Sequence, residues 1–403
     1  MNFTGLLLIA GSITFLLALL LSNIARRMGN NAIFRDYPDN IRKLHKRPVP
    51  STGGLALVSA TMLGGAILIP SMMEYMSPGM TGFTYYFAAA AGLIAISGVY
   101  DDVFGMSFKP KFIIQLVAAA IVLYGLETQF VAQHISYSET PLAGRLAIYG
   151  VLGLWMVSGC NTVNLVDGID SLAGSLIMTV IFGITAISVS WGVVDVFPFI
   201  IPLAAAMLGF LWFNRPPASL FMGDTGSMFS GFIVSVAIIV LGVHATHWMH
   251  ALSLALLLSI PLSDTIFAII RRVKHGQNPF ESDNNHLHHM LQRYFKGPGA
   301  AVLSLSAASV VMISIAILLS NITNITLFFF TYGILFGLFL IIAVTYSIKI
   351  QNRDSVLYSH MVGIKKEEPG ILTQKADKIR KQDNLESNVP VSHLAGYHHR
   401  NGA

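Results

Sequence analysis

The sequence of 403 residues predicts an all-α polytopic membrane protein of about eleven transmembrane helices, with its polar chemistry gathered on one face. Three observations predict this. The chain is 54% hydrophobic and only 11% charged, whereas a soluble domain averages about 25% charged residues. Its apolar residues fall in runs of roughly 17–25, the length that crosses about 30 Å of hydrocarbon as a helix. Its Lys and Arg residues, 25 in all, gather in alternate loops. A single cysteine, Cys160, excludes an intramolecular disulfide and a Cys-rich metal site. The net charge of +5 belongs to loops and tail and gives no reason to expect a nucleic-acid partner.

Breaks between apolar runs place the spans at about 5–23, 51–70, 82–99, 111–126, 146–160, 171–190, 196–213, 227–243, 248–270, 300–320 and 323–348. The fifth has the weakest pattern. The first run has no basic residue before it and no small-residue cleavage site before Arg26-Arg27, so it reads as a retained span rather than a leader. From Gln351 the chain turns polar, which divides it into a membrane domain over 1–350 and a partly disordered tail over 351–403. The loop after the first span carries Arg26, Arg27, Arg35, Arg42, Lys43, Lys46 and Arg47. The positive-inside rule makes that loop cytoplasmic, which puts the N-terminus outside and the tail inside. Alternating from there, Arg145 is the one basic residue assigned to an outer loop.

Polar clusters of catalytic composition all fall on the predicted inner side. Carboxylates near a bilayer are costly and tend to mark function. Asp101-Asp102, with Lys109 and Lys111, opens a loop; adjacent carboxylates repel unless a cation, a lysine or water neutralises them. Asn164-Leu-Val-Asp167-Gly168-Ile-Asp170 sets two carboxylates one helical turn apart on one face, with Gly168 permitting a tight turn. Phe221-Met-Gly-Asp224-Thr-Gly-Ser227 leads into an apolar helix whose first N–H groups can face an anion, while Asp224 can hold a hard cation. His286-Leu-His288-His289, after Arg271-Arg272, suits a diphosphate better than Zn²⁺, since neither Cys nor a His-Glu-x-x-His helix accompanies it. Each cluster alone is also what a water-exposed helix-end loop looks like. Together on one face they describe phosphoryl transfer from a charged, soluble donor, and the apolar body can hold an acceptor dissolved in lipid.

Six motifs in order then resemble a known family. They are Arg42-Lys43-Leu44-His45 to Pro50-x-x-Gly53-Gly54; Asp101-Asp102 with Lys111-x-x-x-Gln115; Asn164 to Asp170; Asn214 ten residues before Asp224; Pro261-Leu-x-Asp264; and Pro279-Phe280 with His-x-His-His. Over about 24–295 the chain resembles the polyprenyl-phosphate N-acetylhexosamine-1-phosphate transferases (glycosyltransferase family 4), most nearly those acting on undecaprenyl phosphate and N-acetylglucosamine. The peptidoglycan translocases, distant members, carry three consecutive histidines where this chain has His-x-His-His.

The resemblance implies a bacterial inner-membrane enzyme with a cytoplasmic active site, a UDP-N-acetylhexosamine donor, undecaprenyl phosphate as acceptor, and Mg²⁺ (or Mn²⁺) as cofactor. A homodimer is compatible with it. It implies catalytic roles for Asp101, Asp102, Asp167 and Asp170, and metal ligation by Asp224 and Asp102. Substrate contacts would come from Lys111, Asn164, Asn214, Asp264, His286, His288, His289, Lys43 and His45. Two departures stand out: Asn284 where a basic residue is common, and Ser171 where glycine is common. The first bears on which sugar is used; the second is expected to matter less. A transporter, the rival class, would place its ionisable groups near the bilayer midplane in broken helices of related halves.

Overall fold

A backbone surrounded by hydrocarbon must satisfy its own hydrogen bonds, and a chain this apolar does so as helices. The computed structural model describes residues 2–28, 35–36, 48–131, 141–274, 286–295, 297–335 and 337. Among them, ten helical segments are long and apolar enough to cross a membrane, and they coincide with the first ten predicted spans. They are α1 (Phe3–Met28), α2 (Gly53–Met72), α3 (Met80–Phe104), α4 (Phe108–Leu126, continued by a π-helical turn at Glu127–Val131), α5 (Leu142–Val166), α6 (Leu172–Trp191), α7 (Phe197–Asn214) and α8 (Gly223–Val243). The ninth is divided into α9 (Trp248–Ala255), a tight turn at Leu256–Leu258, and α10 (Ser259–Lys274). A short amphipathic helix, α11 (Leu287–Phe295), precedes the tenth, α12 (Pro298–Leu319). Of the eleventh predicted span, Ile325–Leu335 is described, as an apolar helix, α13. One two-residue antiparallel pairing joins β1 (Arg35–Asp36) to β2 (Val49–Pro50). The protein is thus an all-α multi-pass membrane protein. Lys43, His45, Pro279, Phe280, Asn284 and the tail lie outside the described residues.

Two boundaries moved in ways that matter. The fifth span, expected over 146–160, runs to Val166. The eighth, expected from 227, begins at Gly223. In both cases polar residues that read as loop belong to the helix and point inward at partners on other helices.

The helix α8 is the axis of the bundle. Every residue from Thr225 to Leu241 is buried, and α2, α3, α5, α6, α7 and α9 all pack on it. Lipid offers helices little hydrophobic reason to associate, so close packing of small residues carries the contact. Gly54 of α2, Gly98 of α3 and Gly159 of α5 each bring their backbone directly onto α8. A Cβ at Gly98 would stand 2.5 Å from Thr225 Cα, and one at Gly159 would stand 3.0 Å from the Gly231 carbonyl oxygen and collide with Ser235 Oγ. A Cβ at Gly54 would collide with the Gly226 backbone. The segment preceding α8 is tied down as well: Phe221 N–H donates to the Pro50 carbonyl at 2.8 Å, and Gly53 N–H to the Phe221 carbonyl at 3.0 Å. Outside this core, α1 lies along α2 and α7 and leaves Leu8 and Leu16 exposed to the surroundings.

At the far end of α8 a second polar contact closes the bundle. Asp195, between α6 and α7, accepts from the Ser77 N–H at 2.8 Å and pairs with His244 Nε2 at 2.9 Å. Burial alone would raise its pKa, but the bonds from His244 and Ser77 outweigh it and hold the carboxyl below its ordinary value. Nearby, Glu127 takes both Arg145 Nη2 and the Tyr149 hydroxyl.

If backbone contact on α8 governs stability, two glycine-to-alanine changes should part company. Gly159→Ala is expected to lose about 1–3 kcal/mol by overpacking. Gly92→Ala, with nothing within 4 Å of its added Cβ, should gain about 0.5–1 kcal/mol from helix propensity. Thermal unfolding in detergent, read by circular dichroism, distinguishes them.

Candidate active site

Helices that alternate in direction bring every second connection to the same end. That end collects the termini of α3, α5 and α7 and the starts of α4, α6 and α8, and the carboxylates found in the sequence meet there. The start of α8 sets the geometry. A helix leaves its first N–H groups without intrahelical partners, and here Thr225 of the first turn is buried. Asp102, from the end of α3, supplies the acceptor: its Oδ1 takes Asp224 N–H at 2.8 Å, and its Oδ2 takes Thr225 N–H at 3.0 Å and Thr225 Oγ1 at 2.5 Å. The positive end of the helix dipole adds to this attachment. Gly223, at φ +65°, holds the left-handed conformation that turns the chain into the helix, and a Cβ there would press on Asp102.

Lys111, in the first turn of α4, bridges Asp101 and Asp224. Its ammonium pairs with Asp101 Oδ2 and lies 2.7 Å from Asp224 Oδ2. Asp101 is further held by the Met106 N–H at 2.6 Å. Asn164 Nδ2 completes the surroundings of Asp224, donating to its Oδ1 at 2.9 Å and to Ser227 Oγ at 3.0 Å. One turn deeper on α4 and α5, Gln115 and Asn161 pair: Asn161 Nδ2 donates to Gln115 Oε1 at 2.6 Å, and Gln115 Nε2 lies 3.5 Å from Met228 Sδ. This amide pair is a polar floor beneath the charged groups. Asp224 itself is a third exposed, at 33% of its side chain, whereas Asp101 beside it is 7% exposed.

The segment Asp167–Ser171 joins α5 to α6 as a turn. Asp170 Oδ2 accepts from the Ala218 N–H at 2.8 Å. Ser171 adopts φ +66°, a region L-residues other than Asn and Asp seldom occupy, and both its groups are tied to Asn214: N–H to Oδ1 at 2.8 Å, and Oγ to the backbone carbonyl at 3.1 Å. Asn214 Nδ2 donates to the Leu220 carbonyl at 2.9 Å. Asp167 sits among like charges. Burial first, then the carboxylates of Asp224, Asp102 and Asp170, raise its pKa well above the usual carboxylate range.

Behind this turn lies the histidine cluster. Asp264, buried on α10, accepts from the Leu287 N–H at 2.7 Å and lies 3.4 Å from Nδ1 of both His286 and His288. His289 is partly exposed, with its ring 4.2 Å from that of His288.

The structure therefore gathers Asp101, Asp102, Lys111, Asn164, Asp167, Asp170 and Asp224 and gives several of them work other than that expected. Asp102, expected as a metal ligand, spends its oxygens on the start of α8; the anion facing that helix is the protein's own. Asp167 and Asp170 do not share a helical face, because α5 ends at Val166 and the two side chains go different ways. Asn214, expected at the nucleoside, is buried with its amide oxygen and nitrogen both used inside the protein. Asp264, His286 and His288 are buried against each other, and of the three histidines His289 is the one partly exposed. Sequence reading assigned no role to Thr225, Ser227 and Asn161, although they lie in the motifs it singled out and a Thr and a Ser just inside a Gly-Asp helix start are a usable signal for local side-chain bonds.

Comparison with known proteins places this arrangement. The family model for glycosyl transferase family 4 matches residues 84–242, a stretch that runs from α3 to the end of α8. The chain is 33% identical over 290 residues, 72% of its own length and 78% of the relative's, to a probable undecaprenyl-phosphate N-acetylglucosaminyl 1-phosphate transferase of Bacillus subtilis. The chain belongs to glycosyl transferase family 4. Further members similar to it are a decaprenyl-phosphate N-acetylglucosaminephosphotransferase of Mycolicibacterium smegmatis, 32% identical over 65% of this chain and 70% of that one, and an undecaprenyl-phosphate alpha-N-acetylglucosaminyl 1-phosphate transferase of Escherichia coli, 26% identical over 75% and 81%.

In this family 4 chain the donor set is compatible with a hard divalent cation. Among the described residues no three His, Cys, Asp or Glu side chains converge as a metal cage. Mg²⁺ does not need one, since it is ordinarily held by one or two carboxylates, substrate phosphates and water. Among the described residues, the Lys111 ammonium pairs with Asp101 and Asp224, while Asp167 is raised by burial and then by repulsion from Asp224, Asp102 and Asp170.

That repulsion gives a stability prediction with a defined sign. A carboxyl whose folded pKa is raised stabilises the fold below its unfolded pKa and loses that contribution as pH rises through the folded one. Without added metal, the wild type should therefore lose melting temperature as pH increases through the folded-state titration of Asp167. Asp167→Asn should flatten that slope and melt higher than wild type at pH 8, measured by thermal unfolding across a pH series.

Proposed function

We propose that this protein transfers N-acetylhexosamine 1-phosphate, with N-acetylglucosamine as the sugar, from its UDP derivative to undecaprenyl phosphate at the cytoplasmic face of a bacterial inner membrane. The observation that carries the reading is the Asp101–Lys111–Asp224 bridge at the open end of the buried helix α8, in a chain with the similarity to the Bacillus subtilis relative given above. The orientation is supported by the crowding of Lys and Arg into alternate connections.

The chemistry is one in-line displacement. An oxygen of the lipid phosphate attacks the β-phosphorus of the nucleotide sugar, the bond from that phosphorus to the bridging oxygen breaks, and UMP departs with the electron pair. A phosphate monoester has its second pKa near about 6, so the acceptor is largely dianionic at neutral pH and needs no strong base. Asp101 then serves to hold Lys111 rather than to take a proton. The Lys111 ammonium, fixed between two carboxylates, is the cation that this chain directs at phosphate oxygens. Asp224 and Asp167 would hold Mg²⁺, which supplies neutralisation of the charge that grows on the departing phosphate. Asn164 fixes the orientation of Asp224, and the tie between Asn214 and Ser171 fixes the turn that carries Asp167 and Asp170.

The test uses purified protein in detergent with Mg²⁺, undecaprenyl phosphate and radiolabelled UDP-N-acetylglucosamine, UDP-N-acetylgalactosamine or UDP-MurNAc-pentapeptide. The expected result is a labelled lipid and UMP from UDP-N-acetylglucosamine, abolished by chelation. Asp224→Ala should lower the rate by about 10²–10³-fold or more, the scale of losing a group that stabilises transition-state charge. Transfer from another donor would reassign the sugar. A trapped glycosylphospho-enzyme would overturn the direct displacement, and no transfer from any donor by folded protein would overturn the reaction.

A further inference from the structure

Asp264 is a buried carboxylate, 5% exposed, in the middle of an apolar span. An ionisable group there is expensive and normally has a partner and a purpose. Among the described residues Asp264 accepts from the Leu287 N–H that opens α11, at 2.7 Å, and from Nδ1 of His288, 3.4 Å from its Oδ2. Nδ1 of His286 lies at the same distance from Oδ2 but makes no hydrogen bond to it. The two rings lie nearly parallel, 12° apart with centroids at 5.6 Å, and are 4% and 1% exposed. The other nitrogen of His288, Nε2, is buried and has no hydrogen-bond partner among the described residues. It stands 2.8 Å from where a Cβ of Gly168 would be, so it abuts the turn that carries Asp167 and Asp170. The neighbouring residue on α10, Thr265, reaches Thr162 of α5 at 3.3 Å, so α10 is anchored to the helix that ends at this turn.

From this geometry we infer that Asp264 is a positioning residue. It fixes the Nδ1–H tautomer of His288, and through that ring it fixes the placement of the Asp167–Asp170 turn and of His289. The chemistry follows from the donor inventory. A neutral imidazole carries one N–H. With that N–H on Nδ1 and given to the Asp264 carboxylate, Nε2 of His288 is left with a lone pair. A side chain at position 168 would push His288 off its seat, which explains the glycine between the two carboxylates better than turn geometry does: Gly168 is not among the positive-φ glycines. His289 is then held at the open side by a neighbouring ring that cannot rotate.

The experiment has one arm independent of the proposed reaction and one that rests on it. In detergent-solubilised full-length protein labelled with ¹⁵N-histidine, two-bond couplings report the tautomer of each ring, with assignments from His286→Ala and His288→Ala. The His288 ring is expected in the Nδ1–H form in the wild type. Asp264→Asn, whose amide oxygen can still accept the Leu287 N–H, should release it toward the Nε2–H form, and Asp264→Glu should restore the original form in part. In the transferase assay, Asp264→Asn should lower kcat by about 10–100-fold, as loss of an outer-shell histidine partner does, with KM for the nucleotide sugar changed far less. Adding Asp264→Asn to His288→Ala should cost almost nothing further, because the two act as a unit. A wild-type His288 ring in the Nε2–H form would overturn the proposal, as would additive losses in the double variant. A wild type that transfers no sugar phosphate would sink the reaction assigned above and leave the tautomer measurement to decide Asp264.

Discussion

The attachment of Asp102 to the first turn of α8 is the constraint from which the rest of the site follows. The first N–H groups of a helix lack intrahelical partners, and leaving such a group buried and unmet costs about 1–3 kcal/mol. A carboxylate from α3 meets two of them and the Thr225 hydroxyl besides. That bond fixes the end of α3 against α8, which leaves the adjacent Asp101 beside Asp224. Two carboxylates so placed require a cation, and Lys111 of α4 is held there by both. Asn164 then locks the remaining oxygen of Asp224 to α5. Four helices are therefore registered to one another at the site by a chain of bonds that begins with a capping interaction. The glycine contacts at positions 54, 98 and 159 are the condition for it, since bonds under 3 Å between side chains this short require the helix backbones to touch.

The carboxylates of this end are not all balanced by the protein. Removing charges from water is costly, and a buried pair repays that cost only when geometry and further hydrogen bonds are good. Asp101, Asp102 and Asp170 meet this condition, each with a backbone N–H as partner. Asp167 has no such bond among the described residues, and burial together with like charge raises its pKa. A carboxylate left in that condition costs stability.

The spans were legible because hydropathy is a strong and local signal, and the positions of ten of them carried over with shifts of a few residues. What was not legible is which polar residues belong inside helices. Asn161 and Asn164 lower the hydropathy of the last turns of α5 just as a loop would, and only their partners Gln115 and Asp224, 46 and 60 positions away, show that they face inward. The site could be located from the one-sided distribution of carboxylates, but not the work of each residue. An aspartate at a span end can be a ligand, a cap or a counterion with the same neighbours in sequence. Asp102 and Asp264 turned out to cap α8 and α11, and Asn214 to tie a turn, through contacts made 122, 23 and 43 residues away. Ser171 was read as a minor change from glycine; it occupies a left-handed backbone position and offsets part of that strain with the Oγ bond to Asn214 that glycine would lack.

Comparing the two ends of α8 separates scaffold from site more cleanly than composition does. Both ends hold buried or half-buried carboxylates with nitrogen partners, and either would attract attention in a search for chemistry. At the far end, hydrogen bonds to Asp195 win over burial and its pKa falls. At the near end, burial and like charge win over Asp167 and its pKa rises, while Asp224 stays partly open. The two ends thus differ in how far the protein itself satisfies their carboxylates: at Asp195 the bonds from His244 and Ser77 outweigh burial, and at Asp167 nothing does.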